Sequence, residues 1–335
     1  MQVGMGFWAS KTLLAAVHFK LFTLLSGKKL SGLEIKEKLG LKATYRHVYD
    51  FLDTLVSLEF LQREGLVDNA IYFNSDDTDL FLDTGKPSYI GGILQMGNNR
   101  LYRFWGDLEE GLLSGEPQNE AKTSLVSGSG FESIYETPEK MKEFVDAMSG
   151  IQMGNFITLV HQFNFSDYKT MCDIGGADGW LSIQVALNHP GIECITTDLK
   201  QVEPLAREKI DRFNLGDRIK FQALDFLNDP FPAADAITMG NILHGLNEEG
   251  KDRLIQKVYD ALPAGGVFIT IENIIDNERR KNTFGLLMSL NMLIENGDGF
   301  DYTMNDFDGW AKKAGFAKTE LLPLAGPTSA AIAYK

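Results

Sequence analysis

From Asp167 to the end of the chain, short apolar runs alternate with stretches of helical periodicity. The runs at 170–174, 193–197, 218–221, 235–239 and 266–272 predict strands, with a closing pair near 318–323 and 329–334. Strands separated by helical stretches predict a parallel α/β sheet covered on both faces. In such sheets, ligands bind outside the carboxyl ends of the strands, near the point where the strand order reverses. Gly175, Asp198, Asp225, Asn241 and Glu272 stand at those ends and are expected to converge.

Residues 1–85 follow a different pattern. Leu13, Leu14, Val17, Leu21 and Leu24 recur at helical spacing and predict one helix from Lys11 to Leu25. Ser31, with Glu34 three residues on, predicts a capping box for a short helix running to Leu39. Thr44 opens a longer helix in which Val48, Phe51, Leu52, Leu55 and Leu58 make one apolar face. A β wing is predicted over Leu66–Phe73, around Val67-Asp68-Asn69. Helix, helix and wing form a winged-helix arrangement, which serves either DNA binding or dimerisation. Arg46 and His47 lie on the second helix, but so do Asp50, Asp53 and Glu59. That is a poor face for reading a major groove, so a dimerisation or lid module is expected. Residues 86–165 read as helical and connecting, with a polar loop at Gly115–Glu120 and a flexible Ser127-Gly128-Ser129-Gly130. Phe131, Tyr135, Met141, Phe144, Met148, Met153 and Phe156 in this stretch either line a pocket or fill a core, and core is the default for most of them.

Composition narrows the function classes. The chain has 335 residues, enough for two domains, and a net charge of −14, which speaks against a phosphate-backbone partner. Cys172 and Cys194 fall inside predicted neighbouring strands and read as reduced core residues, which suits a cytoplasmic protein. No apolar run reaches membrane-spanning length and no basic leader precedes Phe7-Trp8, so neither membrane nor export is expected.

The chemistry concentrates at Met171–Trp180, where an apolar run ends in Asp173, Gly175 and Gly176 and a helix begins. Glycines at such a turn let the backbone approach a ligand closely. Asp198 closes the next strand and lies within reach of ribose hydroxyls, so the cleft reads as a nucleoside-cofactor site. Asp178 within Gly175-Gly176-Ala177-Asp178-Gly179 would set a negative charge beside a diphosphate, whereas a cationic cofactor tolerates it. Asp225-Phe226 ends a third strand with an acid and an aromatic ring, a pair suited to an adenine amino group and its ring face.

DIGGADG at 173–179, LDFLNDPFPAADAITMGNILH at 224–244, LPAGG at 262–266 and GLLMSLNMLIENGDGFDYT at 285–303 together resemble the class I S-adenosylmethionine-dependent O-methyltransferases of the plant caffeate and acetylserotonin type, in their bacterial natural-product branch. The resemblance spans nearly the whole chain. It implies a winged-helix dimerisation domain at 1–98, a helical connector lining the substrate pocket at 99–165, and a Rossmann-like methyltransferase domain with a mostly parallel seven-stranded sheet at 166–335. It further implies S-adenosylmethionine as cofactor, held by Gly175, Asp198, Asp225, Phe226, Asn241 and Tyr135. His244 falls at the general-base position, and Glu272 and Asp301 match the two acids that orient it, Asp301 being one methylene shorter than the glutamate of some relatives. Met148, Asn291 and Met292 are carried over as acceptor contacts, and Phe7 and Trp8 as residues reaching a partner subunit.

The implied activity is methyl transfer to a hydroxyl of a small aromatic or polyketide-like metabolite by a homodimer. Methylation at nitrogen, sulfur or carbon, or a non-methylating reaction on the same fold, is the alternative, and a winged-helix ligand-responsive regulator is a more distant one. The histidine's role has its own physical support: the attacking hydroxyl must lose a proton, and an imidazole oriented by a carboxylate takes it near neutral pH. His18, His47 and His161 have no partners at metal-ligand spacing, and no metal is expected. Two departures from the family pattern stand out. Gly245-Leu246 follows the histidine where relatives commonly carry Asp-Trp, and the Gly-Phe-Trp-Ala-Ser segment at 6–10 comes almost at the start, so part of a swapped dimer helix is expected to be missing.

Overall fold

The computed structural model describes residues 1–122 and 135–335; Ser127–Gly130 and Phe131 lie outside the described residues. The chain divides into two compact units, Met1–Arg103 with Asp146–Ile151, and Phe104–Val145 with Gln152–Lys335.

In the first unit, the helix expected from Lys11 to Leu25 is instead two, Gly6–His18 and Leu21–Leu25, broken where Lys20 adopts φ +55°. A left-handed residue cannot continue a right-handed helix. The break re-aims the chain so that Leu21, Phe22 and Leu25 are all buried with Leu52 and Leu55. Ser31 caps Gly32–Lys38 with Glu34 completing the capping box, and Thr44 caps Tyr45–Ser57. The wing begins earlier than expected. β1 (Leu30–Ser31), β2 (Leu61–Glu64) and β3 (Ile71–Asn74) form an antiparallel sheet in the order β1-β3-β2, and Val67–Asn69 is a 3₁₀ turn between the last two. Asp53 is engaged inside this unit: its Oδ1 accepts from Arg63 Nη1 at 2.7 Å and Tyr72 Oη at 2.8 Å. Arg46 pairs with Asp50 at 3.2 Å.

The second unit is built on β4 (Thr170–Ile174), β5 (Glu193–Asp198), β6 (Ile219–Ala223), β7 (Ala236–Gly240), β8 (Val267–Glu272), β9 (Lys318–Pro323) and β10 (Ser329–Tyr334). Their order is β6-β5-β4-β7-β8-β10-β9, parallel except that β10 runs against both β8 and β9. Side chains alternate between the two faces. Ile269 and Ile271 pack into one core with Leu181 and Ile210, while Phe268 packs into the other with Ile255, Val258 and Phe307. Each such fully buried side chain stabilises the fold by about 1.5–3 kcal/mol. The same alternation puts Cys172 and Cys194 in different cores, although their strands are neighbours, and both are free thiols. No described helix is long and apolar enough to cross a membrane.

Candidate functional site

The strand order reverses between β4 and β7, so a crevice is expected outside their carboxyl ends. Gly175 follows β4 with φ +67°, and a Cβ there would lie 2.5 Å from Ile242 Cδ1. Only glycine fits both the backbone and the space. Asp198, at the end of β5, accepts from Ala177 N at 2.9 Å and from Leu199 N at 2.8 Å. It thereby pins the glycine turn, and each carboxylate oxygen keeps acceptor capacity for a further donor. Burial pushes Asp198 up to about 6, against the pull of those two N–H groups. Tyr135 and Ala177 of the turn both pack against one apolar cluster, Met141, Val145 and Val202. Burial, with the charge of Asp198, raises its phenol well above the ordinary value.

Asp225, beyond β6, accepts from Leu227 N at 2.9 Å and Asn228 Nδ2 at 2.8 Å, which holds it ionised in a turn. Phe226 is half-buried against the second core. Asn241, after β7, has φ +53°, a left-handed conformation that Asn tolerates better than most side chains, and its N–H reaches Ile271 O at 3.2 Å. The strand-end residues therefore do gather at one edge of the sheet. One inference from the sequence needs correcting. Asp178 is buried and bonded to Lys209, so its charge is already offset within the protein and does not select the sign of a ligand.

His244 lies in a 3₁₀ turn, Leu243–Gly245, just past β7, and is 8% exposed. Glu272, the last residue of β8, does not orient the ring as expected. Its Oε1 accepts from Ile242 N at 3.1 Å and Leu243 N at 2.7 Å, and its Oε2 from His244 N at 3.1 Å. It clamps the backbone that carries the histidine. Asp301 faces the ring instead, with Oδ1 3.5 Å from His244 Nδ1, beyond an ordinary hydrogen bond. Both Asp301 oxygens and His244 Nδ1 are buried without a hydrogen-bond partner among the described residues. Burial disfavours the imidazolium, but Glu272 and Asp301 outweigh it, so the His244 pKa is raised. Burial likewise raises Glu272, against the histidine's pull. Gly299 lets the Asp301 loop approach, since a Cβ there would meet His244 O at 2.8 Å.

His244, Glu272 and Asp301 each offer a donor atom within 4.8 Å of the others, a spacing that a cation also uses. The three N–H groups that Glu272 serves account for its carboxylate without one.

The helix Thr283–Asn296 runs past this turn. Asn296 Nδ2 reaches Gly245 O at 3.3 Å and Met292 Sδ at 3.7 Å, which sets Met292 one helical turn from the histidine loop. Asn291 is buried, and its Oδ1 accepts from Trp105 Nε1 at 2.9 Å. Met148 is partly buried on the helix Pro138–Gln162, in the stretch that belongs to the first unit, and is not among the residues the second unit gathers here.

Sequence reasoning missed Trp105, Lys209 and Lys251. The first is 186 residues from its partner and carries no local signal. Lys251 does carry one: it precedes Leu254, Ile255 and Val258 at apolar-face spacing on the helix Glu248–Ala261.

Comparison with known proteins agrees with this geometry. Residues 105–317 match the O-methyltransferase domain, and residues 1–84 match the O-methyltransferase dimerisation domain. The tetracenomycin polyketide synthesis 8-O-methyl transferase TcmO of Streptomyces glaucescens is 35% identical over 100% of this chain and 96% of that protein. The N,N-dimethyltransferase OxyT of Streptomyces rimosus is 29% identical over 94% of this chain and 89% of that protein. The crystal structure of human N-acetylserotonin methyltransferase in complex with SAM superposes with a TM-score of 0.91 at 26% identity, covering 100% of this chain and 96% of that one. The chain belongs to the class I S-adenosylmethionine-dependent O-methyltransferase family. It is an S-adenosylmethionine-dependent methyltransferase with a Rossmann-like catalytic domain and an N-terminal dimerisation domain.

Proposed function

We propose that the chain is a homodimer that methylates a hydroxyl of a small aromatic, polyketide-like metabolite, with His244 taking the hydroxyl proton. The observation that carries this is the buried His244, held on a backbone clamped by Glu272 and faced by Asp301. S-adenosylmethionine, when bound, supplies a methyl group on a positively charged sulfur. The residues fit that cofactor: a turn at Gly175 where a side chain would be strained, a carboxylate at Asp198 with spare acceptor capacity, and Tyr135 on the apolar cluster that also holds Ala177 of the turn. We assign Gly175, Asp198, Asp225, Phe226, Asn241 and Tyr135 to it.

On this reading the imidazole receives the acceptor's proton, and the Asp301 carboxylate opposite Nδ1 stabilises the cation that forms. Asn291 and Met292 border the acceptor, with Trp105 fixing the amide of Asn291; Met148 is assigned to it as well. Glu272 serves backbone N–H groups, and we assign no metal to the site. The domain division at 1–98, 99–165 and 166–335 and a cytoplasmic location complete the proposal, the latter supported by two buried free thiols. TcmO's name supports a polyketide hydroxyl, while OxyT's name keeps nitrogen methylation as the second reading. The test is turnover with S-adenosylmethionine against paired hydroxyl and amine acceptors on one aromatic scaffold, read by mass spectrometry. O-methylated product lost in His244→Ala supports the proposal, and amine methylation that survives in the variant overturns it.

A further inference from the structure

The helix Glu248–Ala261 turns one long cation inward. Lys251 has 0% exposure, on the same face as Leu254, Ile255 and Val258. A lysine is almost never fully buried unless its charge is answered. Its ammonium donates to Leu246 O, two residues after His244, and stands 3.5 Å from the centroid of the Phe300 ring. The rings of Tyr302 and Trp310 lie 6.0 Å away. Phe300 and Tyr302 flank Asp301. The one ammonium thus touches both the loop that carries the histidine and the segment that carries its carboxylate.

No hydrogen bond reaches either oxygen of Asp301 among the described residues, so what answers its negative charge is the surrounding field. We propose that Lys251 is a positioning residue of the methyl-transfer site, a buried cation that ties the His244 loop to the Phe300-Asp301-Tyr302 segment and offsets the charge of Glu272 and Asp301, so that His244 is presented neutral to the acceptor. The proposal rests on the reading of His244 as the base.

The charged and titratable groups around the pair are few. His244 is faced by Glu272, Asp301 and Lys251; Lys251 is faced by Glu272, Asp301, Asp298 and Glu248. Tyr302 lies against Glu272 and Asp301. The lysine opposes protonation of His244, whereas the two acids favour it. Burial lowers the lysine's own pKa to about 8, against the pull of the acids, so it remains mostly charged at neutral pH.

The test is an imidazole NMR titration of the full-length protein, with the His244 signal assigned from its loss in His244→Asn. Lys251→Gln keeps a donor for Leu246 O and removes the charge, so the His244 midpoint should rise by about one pH unit. The acid limb of kcat should move up with it, and Lys251→Arg should restore both. Calorimetry with S-adenosylhomocysteine checks that each variant is folded. A Lys251→Gln protein that binds S-adenosylhomocysteine normally but leaves the His244 midpoint in place overturns the proposal, even if turnover falls. Should neither Gln nor Arg fold, the wild type still decides. Its His244 shift must carry a second inflection near 8, where Lys251 loses its proton, and a single-step curve overturns the proposal. The titration needs no turnover, so a midpoint that moves while kcat keeps its pH profile would sink the base assignment, and with it the part of the proposal that concerns the acceptor, while the charge coupling of Lys251 to His244 would stand.

Discussion

His244, Glu272 and Asp301 divide their labour in a way their types do not announce. Each was legible as a candidate from the sequence pattern, yet which acid serves the ring and which serves the backbone depends on where β8 stops and how close the Asp301 loop comes. If His244 is the base, as proposed, its loss should be severe and local: His244→Ala should lower kcat by about 10²–10⁴-fold. Calorimetry should find S-adenosylhomocysteine affinity unchanged in that variant. On the proposed reading the neutral imidazole is the active form, and Glu272 and Asp301 raise its pKa against burial. Activity should therefore climb with pH through a midpoint above the ordinary 6.5, and a pH–kcat profile checks this. Glu272→Gln should act differently. It turns an amide toward N–H groups that need an acceptor, at a cost of about 1–3 kcal/mol. Thermal melting should register that loss of stability together with a drop in kcat.

Among the elements, the strands of the catalytic sheet were the most legible. The central strands are continuously buried because both faces are covered, and each observed strand agrees with its predicted run to within one or two residues. Caps at Ser31 and Thr44 were equally plain, since capping is a local exchange between neighbours in sequence. The break at Lys20 was not, because nothing in a run of apolar residues says that two short faces bury better than one long one. The glycine turn between β4 and the helix Trp180–Asn188 yields a sharp expectation. Gly175→Ala must strain φ +67° and push on Ile242, so cofactor affinity should fall at least about tenfold by calorimetry. Asp198 adds a pH dependence to the same element. Burial puts its midpoint at about 6, so S-adenosylmethionine binding should weaken as pH falls from about 7 to about 5. Asp198→Asn should be weak throughout and flat with pH.

At the scale of the whole molecule, the expectations concern assembly and stability. Phe7 and Trp8, 51% and 63% exposed, sit on the first helix of the dimerisation domain. If that helix joins two copies, sedimentation should find a particle of about twice 37.3 kDa, and Phe7→Asp with Trp8→Asp should drive it toward the monomer. Asp173, under the glycine turn, is pushed up to about 7 by burial, with Thr238 offsetting only part. A carboxyl whose folded pKa lies above its unfolded value of 3.8 contributes stability at low pH, and that contribution is lost as pH rises from 3.8 to about 7. Asp173→Asn should therefore flatten the fall in melting temperature across that window. By itself, the sequence determined the α/β order, the glycine turn, the acids and polar residues at the strand ends and the histidine as a candidate, because periodicity, turn chemistry and residue type are written locally. Only the tertiary structure decided that Glu272 holds a backbone, that Asp178 belongs to Lys209, that Trp105 fixes Asn291 and that a buried lysine donates to the loop that carries His244. Those pairings join segments far apart in the chain, and burial and distance, which sequence spacing does not encode, set their charges and their roles.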